Sequence, residues 1–285
     1  MSAGAERLAN LADINRKTLE AIGAGTADWP RDAFYGFFQV DIFDCPPFAM
    51  FTANDCPRAF NIIYEGKFEP GSMALWCRYA RQATAILDIG AHVGVYALAA
   101  AALRQDIPIY AFEPNPFASA RLRVNKDFNG FDNIVEGRMG LAHKNTVGTI
   151  SWIREKRFIP SGATMSKNLR NDAALEEAYV QLSTLDSLDI GDIGARGLMK
   201  IDAEGAEGFI FTGMPRRLEA RPDIILEVFS PDNCAEINAR ILPLGYKVYL
   251  VHEDTGELEP QDRLIPRTRT GVDFNQFLTT RDIVV

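Results

Sequence analysis

The pattern of hydrophobic and polar positions changes character near residue 85. From there, short apolar runs alternate with helix-length segments. Ala85 to Ile89 reads as a strand, and Val93 to Leu103 is apolar almost all round, the mark of a buried helix. Ile107 to Phe112 reads as a second strand ending on Glu113. Asn115 and Pro116 suit the cap and first position of a helix, with Phe117, Ala120, Val124 and Phe128 at helical spacing and Gly130 as its stop. Asn133 to Glu136 is a third strand. The alternation then lapses: Thr146 to Ile153 predicts an edge strand or strand pair, Phe158 to Asn171 a polar loop, and Val180 to Ser183 a short strand followed by a helical turn at Thr184. It resumes with Leu198 to Ile201, a helix from about Ala206 with Met214 and Leu218 on its apolar side, and Ile224 to Val228. A helix capped by Ser230 and Pro231 follows and is broken at Pro243. Tyr246 to Val251 and Phe274 to Thr279 are the last strands. Strands interleaved with helices predict an α/β fold, a mostly parallel sheet covered on both faces.

The first 84 residues differ. Residues 1 to about 28 predict an amphipathic helix with Leu8, Leu11, Ile14 and Leu19 as its apolar positions, an arm that packs on the domain or makes a homo-oligomer. Residues 30 to 62 are dense in phenylalanine. They read as core beneath an N-terminal hairpin, with a substrate-side lid as the alternative. The turn-rich YEGKFEPGS and a helix from Ser72 to Arg81 lead into the sheet. The expected division is an N-terminal extension, 1–62, and a catalytic domain, 63–285.

Composition narrows the function. The chain of 285 residues carries a net charge of -8, which argues against a nucleic-acid partner; Arg216, Arg217 and Arg221 supply at most a local basic patch. No window approaches ~20 uncharged apolar residues, so no membrane span is expected. The charged opening segment lacks a signal-peptide pattern, and a cytoplasmic location is expected. Four cysteines without CxxC spacing and three histidines predict neither a disulfide framework nor a metal centre.

The chemistry concentrates in two segments. ILDIGAHVG, residues 86–94, predicts a strand, a glycine turn at Gly90 and Gly94, and a helix start, where backbone can approach a ligand closely. Glu113 follows at the ~20-residue interval that suits an acid accepting hydrogen bonds from ribose hydroxyls. An adenosine cofactor is therefore implied. The loop lacks GxGxxG, and Asp88 would repel a pyrophosphate but suit the ammonium of S-adenosylmethionine. The bland alternative is that Asp88 only caps the turn. The second segment, KIDAEGAE at residues 200–207, sets Asp202, Glu204 and Glu207 at another strand end. Asp202 is best placed as a base or cation ligand, Glu204 next, while Glu207 suits a helix's first turn. Glu227, inside the apolar run IILEVF, needs a partner or a purpose. His143 reads as a surface histidine, His92 as important more for its backbone than its ring, and Asn168 as a substrate contact or an ordinary surface-loop residue.

In this order, YEGKFEP, LDIGAHVGVY, FEPNP, SGATM, STLDSL, MKIDAEGAEGFIFTGM and IILEVF resemble the FkbM-type S-adenosylmethionine-dependent methyltransferases, from about Tyr64 to Thr280. The resemblance implies a Rossmann-like seven-stranded sheet with its last strand antiparallel, and mostly O-methylation of small molecules or sugars. It further implies a donor site made by Asp88, Gly90, Ala91, His92 and Gly94, by Glu113 with Pro114 and Asn115, and by Glu69 closing the pocket. Asp202, Glu204 and Glu227 resemble the family's acidic set at the cleft, acting as base or through a bound Mg²⁺. His92 stands where members often carry Asn. The rival readings are an NAD-dependent oxidoreductase and a non-catalytic donor-binding scaffold.

Overall fold

Every apolar run predicted beyond residue 85 forms a strand or a packed helix. The structure, a computed structural model, describes residues 3–28, 32–153, 158–160, 175–267 and 273–283. Its first elements are helix α1 (Ala3–Gly23), strands β1 (Tyr35–Val40) and β2 (Phe48–Ala53), and helices α2 (Pro57–Glu65) and α3 (Pro70–Ala80). Next come β3 (Ile86–Ile89), α4 (Val95–Leu103), β4 (Ile109–Phe112), α5 (Pro116–Asn129), β5 (Ile134–Gly137), β6 (Gly140–Leu141), β7 (Thr146–Ile153) and β8 (Leu175–Ser183). The rest are β9 (Leu198–Ile201), α6 (Glu207–Thr212), α7 (Pro215–Glu219), β10 (Asp223–Glu227), α8 (Pro231–Ile241), β11 (Lys247–Val251), β12 (Leu258–Gln261) and β13 (Asn275–Thr279).

The main sheet runs β12-β11-β13-β10-β9-β3-β4-β5. The five strands from β10 to β5 are parallel, and β13 is antiparallel to both of its neighbours. The sheet has eight strands rather than seven, because β12 folds back antiparallel on β11 at the outer edge. Helices α3, α4 and α5 pack one face and α6, α7 and α8 the other. From β3 the chain first builds outward through β4 and β5, then returns to lay β9 on the opposite side. Strand order therefore reverses at β3, where ligands gather in open α/β sheets. A smaller sheet, β6-β8-β7, stands beside this edge.

Residues 35–62 share the main core: Val40, Phe48, Met50, Ala59 and Ile62 are buried with α3 and α4. The aromatic segment is thus a hairpin, β1 paired antiparallel with β2. The periodicity reading did not include α2, although Pro57 stands at its first turn and Gly66 closes it at φ +63°. The helix expected from Ala206 is two, since Pro215 opens a second one. Helix α1 docks through polar groups: Asn15 exchanges two hydrogen bonds with the Tyr35 backbone, and Thr18 donates to the Ala33 carbonyl. Its Leu11, Ile14 and Leu19 stay exposed, and Leu8 lies outside the described side chains.

Helix α5 departs furthest from its pattern. The stripe Phe117, Ala120, Val124 and Phe128 faces outward, and the buried face carries Ala118, Ser119, Leu122 and Asn125. Two asparagines decide this. Asn125 accepts from the Phe51 N–H and donates to the Val93 carbonyl; Asn129 bonds both the N–H and the carbonyl of Ala49. The inner face is thus built to pair with the exposed edge of β2. Phe128 instead stacks on Phe37, ring centroids 3.7 Å apart.

Candidate active site

Three strand ends meet where the order reverses. Register sets Ile89 beside Phe112 on one side and Ile201 on the other. The next residues, Gly90, Glu113 and Asp202, therefore emerge together. The Gly90 and Ala91 N–H groups both donate to the Phe112 carbonyl, at 2.9 and 3.0 Å, and the Asp202 N–H donates to the Ile89 carbonyl at 2.9 Å. Gly90 has φ +82°, and a Cβ there would lie 1.8 Å from the Asp202 carbonyl oxygen. Glycine is required both for the turn and for the close passage of the two strand ends.

Two cavities open at this point. The larger, about 660 Å³ measured out to its open mouth, has apolar walls from Phe112, Met139, Leu141, Ile150, Leu182 and Ile210, with Glu113, Pro114, His92 and Glu204 as its polar or turn-forming margin. The smaller, about 280 Å³, is lined by Phe68, Glu69, Asp88, Ala91, Tyr96 and Lys200 among others. Arg58, Gly90 and Asp202 border both. Gly94 borders neither; at φ +92° it starts α4, and its Cα faces Leu122.

Glu113 is buried, and both its oxygens are oriented. Oε2 accepts from the His92 N–H at 2.8 Å and Oε1 from the Asn115 N–H at 2.7 Å. Burial pushes its carboxyl up to about 7, against the pull of those two amides. Each oxygen keeps further acceptor capacity toward the larger cavity. His92 serves mainly through its N–H, in a left-handed backbone at φ +52°. Its buried imidazole is kept neutral by desolvation and by Arg58. Asn115 caps α5, accepting from Phe117 and Ala118; its Nδ2 has no hydrogen-bond partner among the described residues, and it lines neither cavity.

Asp88 both caps and lines. Its carboxylate accepts from the Ala97 N–H at 3.0 Å in the first turn of α4, and it borders the smaller cavity. Burial raises it to about 7, partly offset by Lys200. Glu69, before α3 at φ +42°, accepts from the Tyr96 hydroxyl at 2.6 Å and the Asn275 amide at 2.9 Å. Lys200 is 1% exposed, with Nζ 5.3 Å from the Tyr96 ring centre. Burial works against its charge, but Asp202, Glu69, Glu227 and Asp88 outweigh it and hold the ammonium above its ordinary value.

Asp202 faces the Arg58 guanidinium at 3.7 Å. Glu204 stands on the rim of the larger cavity in a left-handed backbone. Glu227 is half-buried and on the wall of neither cavity; burial and then Asp202 push its carboxyl up to about 8. Glu207 accepts from the Gly205 N–H and the Asn233 amide, the helix-start role expected of it. His143 is exposed beside Phe209, as its loop position suggested. Asn168 and the SGATM segment lie outside the described residues. Among the described residues, no three His, Cys, Asp or Glu side chains converge to hold a metal ion, and Mg²⁺ has no support in this site. Arg58 is the residue that sequence reasoning missed. Pro57, the apolar spacing Ala59-Ile62-Ile63 and Gly66 would have signalled the helix that carries it, though not where it points.

The FkbM methyltransferase domain model matches residues 88–248, more than half of the chain, and the chain belongs to that family. No curated protein matches it. Among solved structures it is similar to an FkbM methyltransferase from Methylobacillus flagellatus KT, at 15% identity and TM-score 0.43, with 69% of this chain and 43% of that one covered. This chain thus spans less than half the length of that protein. It is also similar to an S-adenosylmethionine-dependent O-methyltransferase from Thermotoga maritima, at 11% identity and TM-score 0.43, covering 84% and 75%. A third is a putative methyltransferase from Streptococcus mutans in complex with S-adenosylhomocysteine, at 11% identity and TM-score 0.42, covering 72% and 95%. Among the described residues, no helix is long and apolar enough to cross a membrane.

Proposed function

We propose that this chain is an S-adenosylmethionine-dependent methyltransferase acting on a hydroxyl oxygen of a small molecule or sugar. The observation that carries the reading is Glu113. A buried carboxylate, oriented by two backbone amides, stands at the margin of an apolar cavity beside the glycine turn. It suits ribose hydroxyls, with an adenine against Phe112, Met139, Leu141 and Ile150. The residues present fit this donor on two counts: the glycine turn at Gly90 borders both cavities, and Lys200, on the wall of the smaller one, has no hydrogen-bond partner among the described residues. A dinucleotide would instead set its pyrophosphate against the carboxylates of Glu69, Asp88 and Asp202, at a repulsive cost.

When bound, S-adenosylmethionine supplies a methyl made electrophilic by its sulfonium. The chain's task is then to position an acceptor hydroxyl and relieve it of its proton. Asp202 stands where the two cavities join and can accept a hydrogen bond from that hydroxyl. Arg58, 3.7 Å away, sets a positive charge opposite the Asp202 carboxylate. Glu204 offers a second acceptor at the rim. Glu227, on the wall of neither cavity and raised to about 8 by burial and by Asp202, holds its proton at neutral pH and leaves the acceptor role to Asp202 and Glu204. Titration calorimetry with S-adenosylmethionine tests the donor: a wild-type protein that binds none sinks the proposal. A screen of hydroxylated metabolites and sugars with labelled donor identifies the acceptor. Asp202→Asn should lower kcat at least tenfold, one lost charge-assisted contact in the transition state, and change donor Kd less. Unchanged kcat removes Asp202 from the chemistry.

A further inference from the structure

The smaller cavity contains a cation, Lys200, that no hydrogen-bond acceptor among the described residues satisfies. Lys200 lies on β9, with sheet neighbours on both sides, and its ammonium is sealed from bulk solvent. Among the described residues, its Nζ has no hydrogen-bond partner. A buried ammonium has three donors to satisfy, and leaving them empty costs free energy. The four carboxylates that hold it charged act through space without contacting it. Arg58 reaches the same cavity from α2, in the segment before the sheet domain. Among the described residues its one ion pair, with Asp202, is at 3.7 Å, longer than a hydrogen bond. Two cations with spare donors therefore border one small space. Glu69 and Asp88 lie on its wall as well, and Glu69 is held in orientation by Tyr96 and Asn275.

We propose that Lys200 and Arg58 form a subsite for a ligand carboxylate, and that it receives the α-carboxylate at the amino-acid end of the donor. This rests on the donor reading above. Glu69 and Asp88 supply the opposite charge that the neighbouring ammonium needs, so the cavity is matched to a zwitterion rather than to a simple anion. The two cavities meet at Gly90, and a ligand with its nucleoside in the larger and its amino acid in the smaller spans both. The segment before residue 63 is then part of the donor site, through Arg58, and not only an arm.

The test compares three ligands by calorimetry: S-adenosylhomocysteine, its decarboxylated thioether, which keeps the amine, and 5′-methylthioadenosine, which lacks the amino acid. The proteins are wild type, Lys200→Met and Arg58→Gln. Wild type should prefer S-adenosylhomocysteine over the decarboxylated compound by about tenfold or more, the worth of one charge-assisted hydrogen bond. Each variant should lose about that factor for S-adenosylhomocysteine alone and bind the other two within twofold of wild type. The subsite is overturned if wild type does not discriminate against the decarboxylated compound, or if the variants weaken all three ligands equally. Should Lys200→Met fail to fold, Arg58→Gln and the wild-type preference decide between the same outcomes. If wild type binds none of the three, the donor reading itself fails and the subsite with it.

Discussion

Gly90→Ala is the sharpest perturbation of this site. The added methyl would sit 1.8 Å from the Asp202 carbonyl oxygen, where real contacts stay beyond 3.0 Å, so the ends of β3 and β9 must part by more than 1 Å. That oxygen belongs to backbone held by the hydrogen bond from the Asp202 N–H to Ile89, and no side chain can rotate aside. Holding alanine at φ +82° costs about 1 kcal/mol, and the overpacking about 1–3 kcal/mol more. The expected loss is about 2–4 kcal/mol, a fall in Tm on the order of 5–10 °C. Gly94→Ala is the control. Its φ is as unfavourable at +92°, but the methyl meets only flexible side chains, Leu122 at 3.1 Å and Leu98 at 3.7 Å, and about 1 kcal/mol is expected. Because Gly90 borders both cavities and Gly94 neither, Gly90→Ala should also weaken S-adenosylhomocysteine binding more than tenfold, whereas Gly94→Ala should not. Thermal melts and calorimetry on both variants provide the reading. Equal destabilisation by the two, with donor affinity intact in Gly90→Ala, would refute the close-approach argument.

Glu113→Gln places an amide NH₂ against either the His92 or the Asn115 N–H, donor facing donor. Together with the lost charge, S-adenosylhomocysteine affinity should fall by about 1.5–3 kcal/mol, roughly 10–100-fold by calorimetry; a change under threefold speaks against ribose recognition by this residue. The pH dependence follows from burial. The folded carboxyls of Glu113 and Asp88 titrate at about 7, against 4.5 and 3.8 when free, so the folded chain binds the extra protons between those limits. Their contribution to stability is fully present below about pH 4 and is lost as pH rises through about 7. Ribose hydroxyls donating to Glu113 favour its ionised form. S-adenosylhomocysteine should therefore bind more tightly at pH 8 than at pH 6, with net proton release in buffers of different ionisation enthalpy. A flat profile without proton release contradicts this assignment.

Much of the parallel sheet was legible in the sequence because its strands are short apolar runs bounded by glycine, proline or an acid. Burial on both faces demands such runs locally. The acids at the strand ends were legible for a related reason, since a carboxylate closing an apolar run has few purposes other than a cap or a ligand. Helix α5 was legible as a helix, but its pattern does not show which face is buried. Its apolar stripe lies outward because Asn125 and Asn129 satisfy the edge of a hairpin some 75 residues earlier, and periodicity within one helix contains no record of that distant backbone. Arg58 escaped for the same reason: its helix is locally encoded, but its position across from Asp202 is decided by how the hairpin packs on α4 and α5.

By itself, the sequence determined the strands of the parallel sheet, most of the helices between them, the glycine turn at residues 90–94 and the carboxylates at positions 88, 113 and 202. These depend on neighbours within a few residues. Only the tertiary structure decided that Gly90 yields its Cβ space to the Asp202 carbonyl, that Gly94 serves packing against Leu122, and that Lys200 is left charged beside Arg58 with no hydrogen-bond partner among the described residues. Those are facts about which strand ends lie side by side. They arise from hydrogen-bond register and buried area summed over the whole sheet, which no local stretch of chain contains.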